Sequence, residues 1–160
     1  MAEEICKSCL AISGKERISQ IPVLIETEHT IVEHIYPAKI LGWLVITPKK
    51  HVVRISNLHC SELNDFLGLV YPCVKILKRI LPEYEKEYLL CLAEKGGFNH
   101  IHMHVIPKHF NLPKQYWGKN IFDILSSIEN NVEIEKLLEF HTSFRKELWS
   151  FNLTRKLSGV

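Results

Sequence analysis

One stretch constrains this chain more than any other. Residues 99–107 read NHIHMHVIP, placing His100, His102 and His104 on alternate positions with Ile101 and Met103 between them and Val105 after. Successive side chains of a strand point to opposite faces, so the run fits an extended strand with an imidazole face and an apolar face. Neighbouring histidines on that face stand roughly 6–7 Å apart. Such a strand cannot stand alone, because its apolar side needs a core and its other side gathers three groups able to bind metal or phosphorus.

Two chemistries suit three imidazoles on one face better than three separately solvated side chains. Neutral imidazole is a zinc ligand, and a three-histidine site with an open water position would make a zinc-dependent hydrolase. A histidine can also attack phosphorus and split one difficult displacement into two easier ones, while neighbouring donors hold the developing charge. Cys6 and Cys9, in the order Cys-x-x-Cys, add two soft thiolates at a spacing that suits structural zinc. A closed site with both cysteines needs only two further ligands, so the three strand histidines cannot all belong to it.

The rest of the chain bounds these readings. Its 160 residues, 46% hydrophobic, fit one domain over 1–160 with a substantial core. Twenty basic against 18 acidic side chains leave no basic stripe for nucleic acid. The longest apolar runs are too short to span a bilayer, and MAEEICKSCL lacks the pattern of a signal peptide. Five cysteines, an odd number, do not suggest a secreted disulfide framework, so a cytoplasmic location is expected. Cys60, Cys73 and Cys91 read as packed small apolar residues, and His29, His34, His59 and His141 as solvated.

Residues 13–20 read as a polar turn. IPVLIET (21–27) and TIVEHIY (30–36) are β-rich and predict a hairpin, with a third strand over 42–48 between Gly42 and Pro48. Residues 61–81 change to helical period, with Ser61 as N-cap and Pro72 as a kink or break. Strands follow over 87–94 and 100–107 around a Gly96-Gly97 turn, and the tail returns to helix over 121–128 and 132–149. The pattern predicts an α+β fold, with an antiparallel sheet of about five strands on a central helix and further helices at the C-terminus.

His100-Ile101-His102-Met103-His104-Val105-Ile106 has the form His-φ-His-φ-His-φ-φ, where φ is apolar. It resembles the signature of the histidine triad (HIT) family. LGWLVITPKKHV (41–52) resembles the family's segment before its central helix, with Trp43 where histidine is more usual. RISNLHCSEL, CKSC and IPKHFNLPKQYWG extend the likeness to roughly residues 6–125, leaving 126–160 as a helical extension.

The resemblance implies a HIT-like fold and a hydrolase of nucleoside monophosphate conjugates. Its substrate would be a purine nucleoside phosphoramidate or dinucleoside polyphosphate. His102 would be the nucleophile that forms a nucleotidyl-histidine, and His104 the phosphate contact. Histidine rather than glutamine at 104 favours hydrolase over nucleotidyl transferase. Structural Zn2+ would sit on Cys6, Cys9, His51 and His100, and the chain would form a homodimer. Gly97 and Phe98 depart from the Ser or Thr and Gln of the phosphoramidase branch. The backbone of Gly96 and Gly97 could bind the anion instead, and Lys108 stands where an arginine is common. With those helpers missing, a nucleotide-binding module with little turnover is the alternative.

Overall fold

The alternating stretch belongs to an inner strand of a five-stranded sheet in the computed structural model, which describes residues 6–15, 21–93, 96–127 and 131–151. The strands are β1 (Ile25–Glu26), β2 (Thr30–His34), β3 (Leu44–Pro48), β4 (Tyr84–Leu92) and β5 (His102–His109). Their spatial order is β1-β2-β3-β5-β4, and every pairing is antiparallel. With helices α1 (Lys7–Ile12), α2 (Cys60–Gly68), α3 (Val70–Ile80) and α4 (Ile134–Ser150), the architecture is α+β as expected.

Register decides what each face carries. Val45 of β3 pairs with Glu33 on one side and His104 on the other, and His104 pairs with Leu90 of β4. These residues therefore share a face with His102 and its partner Leu92. The opposite face presents Val32, Leu44, Ile46 and Val105, buried against Phe66, Ile76 and Leu77 of α2 and α3 and Phe140 and Phe144 of α4. Burial of each such side chain contributes on the order of 2 kcal/mol.

On the histidine side, Trp43, Ile106, Leu112, Ile121 and Ile124 form a second cluster. It lies under two 3-10 segments, Lys114–Tyr116 and Gly118–Ser126. The latter replaces the α-helix expected over 121–128, of which 128 lies outside the described residues.

Several local expectations shift. The hairpin's first strand shrinks to Ile25–Glu26: Pro22 has no N–H to give, although Leu24 N–H still reaches Val32 O at 2.8 Å. The α2 cap is His59 rather than Ser61, because the Glu62 carboxylate turns back to accept from the His59 N–H at 2.8 Å. The central helix breaks at Leu69, and Pro72 falls in the first turn of α3, where a missing N–H costs nothing. Cys73 is fully buried, but Cys60 and Cys91 are exposed. Residues 16–20 of the expected polar turn and Glu94 of the expected fourth strand lie outside the described residues.

Candidate functional site

The three histidines divide into two groups because the β5 ladder starts at His102. His100 precedes it. Its chain neighbour Ile101 donates to Val52 O at 2.7 Å, after the end of β3. There the fully buried His100 ring meets the N-terminal segment. Its Nδ1 lies 3.6 Å from Cys6 Sγ and 3.5 Å from Cys9 Sγ, while His51 Nδ1 lies 3.2 Å from Cys9 Sγ.

These four donor atoms lie within 4.8 Å of one another. A tetrahedron with bonds of about 2.3 Å to sulfur and about 2.0 Å to nitrogen puts S and N roughly 3.5 Å apart, so the spacing fits zinc. The outer contacts fit too: His100 Nε2–H donates to Pro48 O at 2.8 Å, turning the Nδ1 lone pair toward the sulfurs. Burial, with Cys6 alongside, pushes the Cys9 thiol up to about 11. Two crowded sulfurs disfavour thiolate, and a cation between them reverses that preference.

His102 and His104 line a separate cavity of about 860 Å³. Its lining includes Ile31, Val45 and Leu90 of the sheet face, Ser8 and Ile12 of α1, and Phe122. The lining is mostly apolar, the environment that suits a flat heterocycle beside a few polar groups. His102 Nδ1–H donates to His100 O at 2.7 Å. Since a carbonyl only accepts, Nδ1 carries a proton, and in the neutral ring Nε2 then holds the free lone pair.

The His102 and His104 rings stand edge to face, with centroids 4.8 Å apart. His104 is held by a contact that sequence reading passed over: Trp43 Nε1–H donates to its Nδ1 at 3.0 Å. Burial, helped by His102, pulls the His104 pKa down to about 3, so the ring is neutral at physiological pH. Strand alternation could have found this partner. Trp43 lies two residues before Val45, whose cross-strand partner is His104.

The remaining candidates fall elsewhere. Lys108 is buried, ion-paired to Glu85, with its ammonium 3.8 Å from the Trp117 ring centroid; it is not part of the cavity wall. Gly96 is exposed at φ +84°, and buried Gly97 at φ +88° accepts the Lys7 N–H at 2.7 Å through its carbonyl. That bond anchors α1, and it is Phe98, not either glycine, that reaches the cavity. His34 is buried rather than solvated.

Comparison with known proteins adds an independent line. Residues 18–111 match the HIT domain. An uncharacterized HIT-like protein of Methanocaldococcus jannaschii is 28% identical over 108 residues, 66% of this chain and 80% of that one. A zinc-bound histidine triad family protein from Mycobacterium smegmatis has a TM-score of 0.65 at 16% identity, over 93% of this chain and 96% of its own. The Plasmodium falciparum diadenosine triphosphate hydrolase, in complex with cyclomarin A, has a TM-score of 0.59 at 16% identity, over 83% and 80%. At these identities the two structures speak for the fold. Among the described residues, no helix is long and apolar enough to cross a membrane.

Proposed function

The chain belongs to the HIT domain family, and on that premise we propose that it hydrolyses nucleoside monophosphate conjugates through a covalent intermediate on His102. One observation carries the reading: His102 Nδ1–H is committed to His100 O, so in the neutral ring it is Nε2 that holds the nucleophilic lone pair, on the wall of the cavity. The Nε2 lone pair attacks the α-phosphorus of a purine nucleotide conjugate, and the bond to the leaving group breaks. The positive charge on the substituted imidazole is shared with Nδ1–H and stabilised by the His100 carbonyl. Water then displaces His102 Nε2 and releases the nucleoside monophosphate. The base lies on the apolar sheet face, around Ile31 and Val45. The name of the Plasmodium relative, a diadenosine triphosphate hydrolase, is consistent with this class of substrate.

Cys6, Cys9, His51 and His100 would hold Zn2+, whose role is to clamp segments together and not to activate water. Exposed Leu67, Tyr71 and Leu89, on α2, α3 and the edge strand β4, are the surface that an expected homodimer would cover. The test is release of AMP from diadenosine triphosphate and from an adenosine phosphoramidate, by wild type and His102→Ala, with mass spectrometry of the acid-quenched protein. Turnover that is lost in His102→Ala, with a nucleotidylated peptide containing His102 in wild type, supports the reading. Tight nucleotide binding with no AMP from either substrate would reduce the protein to a nucleotide-binding module.

A further inference from the structure

Position 43 carries an indole, and an indole N–H can only donate. The Trp43 ring is fully buried, and its Nε1–H meets His104 Nδ1 at 3.0 Å. Phe122 packs against both rings, with centroids 5.6 Å from Trp43 and 4.9 Å from His104. Nδ1 of His104 is thus an acceptor in every state in which this bond persists. The neutral ring keeps its one proton on Nε2, and protonating Nδ1 would set two donors face to face. A second histidine at 43 could reverse the bond or share a proton; tryptophan can do neither.

A neutral Nε2–H can hydrogen-bond a phosphate oxygen and stabilise its charge. It is a poor proton source, because giving the proton up leaves an imidazolate. The leaving group feels the difference. When His102 Nε2 bonds to the α-phosphorus of an anhydride, the P–O bond breaks and its electron pair departs on a phosphate oxygen. That anion is stable in water near neutral pH without a proton. When the bond broken is P–N, the pair departs on nitrogen, and an amine forms only if a proton arrives. Phe98, on the same cavity wall, has none to offer; the wall's two ammonium groups are Lys39, whose Nζ donates to Ser127 O at 3.2 Å, and exposed Lys119.

Resting on the assignment of His102 as nucleophile, we propose that Trp43 holds His104 as a fixed neutral donor and thereby makes the site selective for nucleotide anhydrides over nucleoside phosphoramidates. Trp43 is a positioning residue; it acts through His104.

The experiment measures kcat/KM for AMP release from diadenosine triphosphate and from adenosine 5′-phosphoramidate carrying an alkylamine. Wild type, Trp43→His and Lys119→Ala, which removes an ammonium from the cavity wall, are compared. Wild type should favour the anhydride by at least about tenfold, equivalent to about 1.4 kcal/mol in the transition state. Trp43→His should narrow that ratio by raising kcat on the phosphoramidate, and Lys119→Ala should slow both substrates alike. In parallel, long-range 1H–15N NMR of wild type should show His104 protonated at Nε2 and bare at Nδ1 from pH 5.5 to 8.

Preference for the phosphoramidate, a ratio unmoved by Trp43→His, or a proton on His104 Nδ1 each overturns the proposal while leaving the His102 chemistry intact. Loss in Lys119→Ala confined to the phosphoramidate would make Lys119 the acid and overturn it as well. No AMP from either substrate sinks the hydrolase assignment, and this inference with it.

Discussion

His34 shows how much a single buried imidazole can decide. Its Nδ1–H donates to Ile35 O at 2.8 Å, and its Nε2 accepts the Gly42 N–H at 2.8 Å, so the neutral ring is satisfied at both ends. A proton on Nε2 would oppose that N–H, and burial pulls the pKa down to about 4. The unfolded chain takes up its proton near 6.5. Stability is therefore whole above pH 6.5, falls as pH drops below it because the unfolded state binds the extra proton, and levels off below about 4. His104, drawn down to about 3, adds to the slope in the same window. Between pH 7 and 4.5, wild type should lose roughly 2–3 kcal/mol more than His34→Gln, read from urea unfolding at each pH. Acid release of metal is common to both proteins and cancels in the comparison. Equal losses would show that the ring is protonated in the native state. Nothing in the sequence around His34 announced its burial, since TIVEHIY carries it as one polar residue in a mixed strand. What satisfies it is a backbone N–H eight residues on, set by the turn into β3 rather than by local pattern. The alternation of His102 and His104, by contrast, was legible at once.

That turn is where the elements meet most tightly. Gly42 has φ +88°, and a Cβ there would stand 2.6 Å from Leu81 Cδ1, 3.1 Å from Leu77 Cδ2 and 3.1 Å from Pro107 Cγ. The end of α3 thus packs directly onto the backbone just before β3, and the same backbone presents Trp43 to the site. Gly42→Ala combines left-handed strain with a clash against packed side chains, and should cost about 2–4 kcal/mol. Gly96→Ala is the control: its φ is +84°, but nothing lies within 4 Å of the added methyl, so about 1 kcal/mol is expected. Similar losses in urea unfolding would mean that the helix end yields easily at Gly42. The Gly96 variant should also leave KM for substrate unchanged, because Gly96 is exposed and off the cavity wall. At this scale the strands and the central helix followed from hydrophobic period and turn residues, whereas their ends did not. The break at Leu69 and the cap at His59 depend on one carboxylate and on where Pro72 falls in a first turn. The 3-10 stretch Gly118–Ser126 has an apolar stripe that a helix of either kind satisfies.

Over the whole molecule, the Cys6, Cys9, His51 and His100 cluster links segments that the sheet itself leaves separate. α1 has six residues, too few to be stable in isolation, and none of its side chains is fully buried. Its attachments include the Lys7 N–H to Gly97 O bond, the Lys7 ammonium 5.4 Å from the Phe98 ring centroid, and the two cysteines beside His51 and His100. Yet Ser8, Ala11 and Ile12 of this helix form part of the cavity wall. On the proposed assignments of zinc and of His102, removing the metal should therefore loosen the α1 part of the cavity wall while leaving His102 on its strand. With zinc bound at one ion per chain, chelation should lower Tm, speed amide exchange over residues 6–12, and leave β3 and β5 protected. Activity should fall chiefly through a rise in KM. A three-histidine catalytic site would behave differently, losing kcat outright on chelation and losing metal in His102→Ala. Elemental analysis separates the cases: His100→Ala should lose the ion, whereas His102→Ala should keep it and lose turnover. Ring geometry supports a division of labour among the three histidines. His102 Nδ1 is bound to a carbonyl and His104 Nδ1 to Trp43, while His100 alone of the three turns a ring nitrogen toward sulfur.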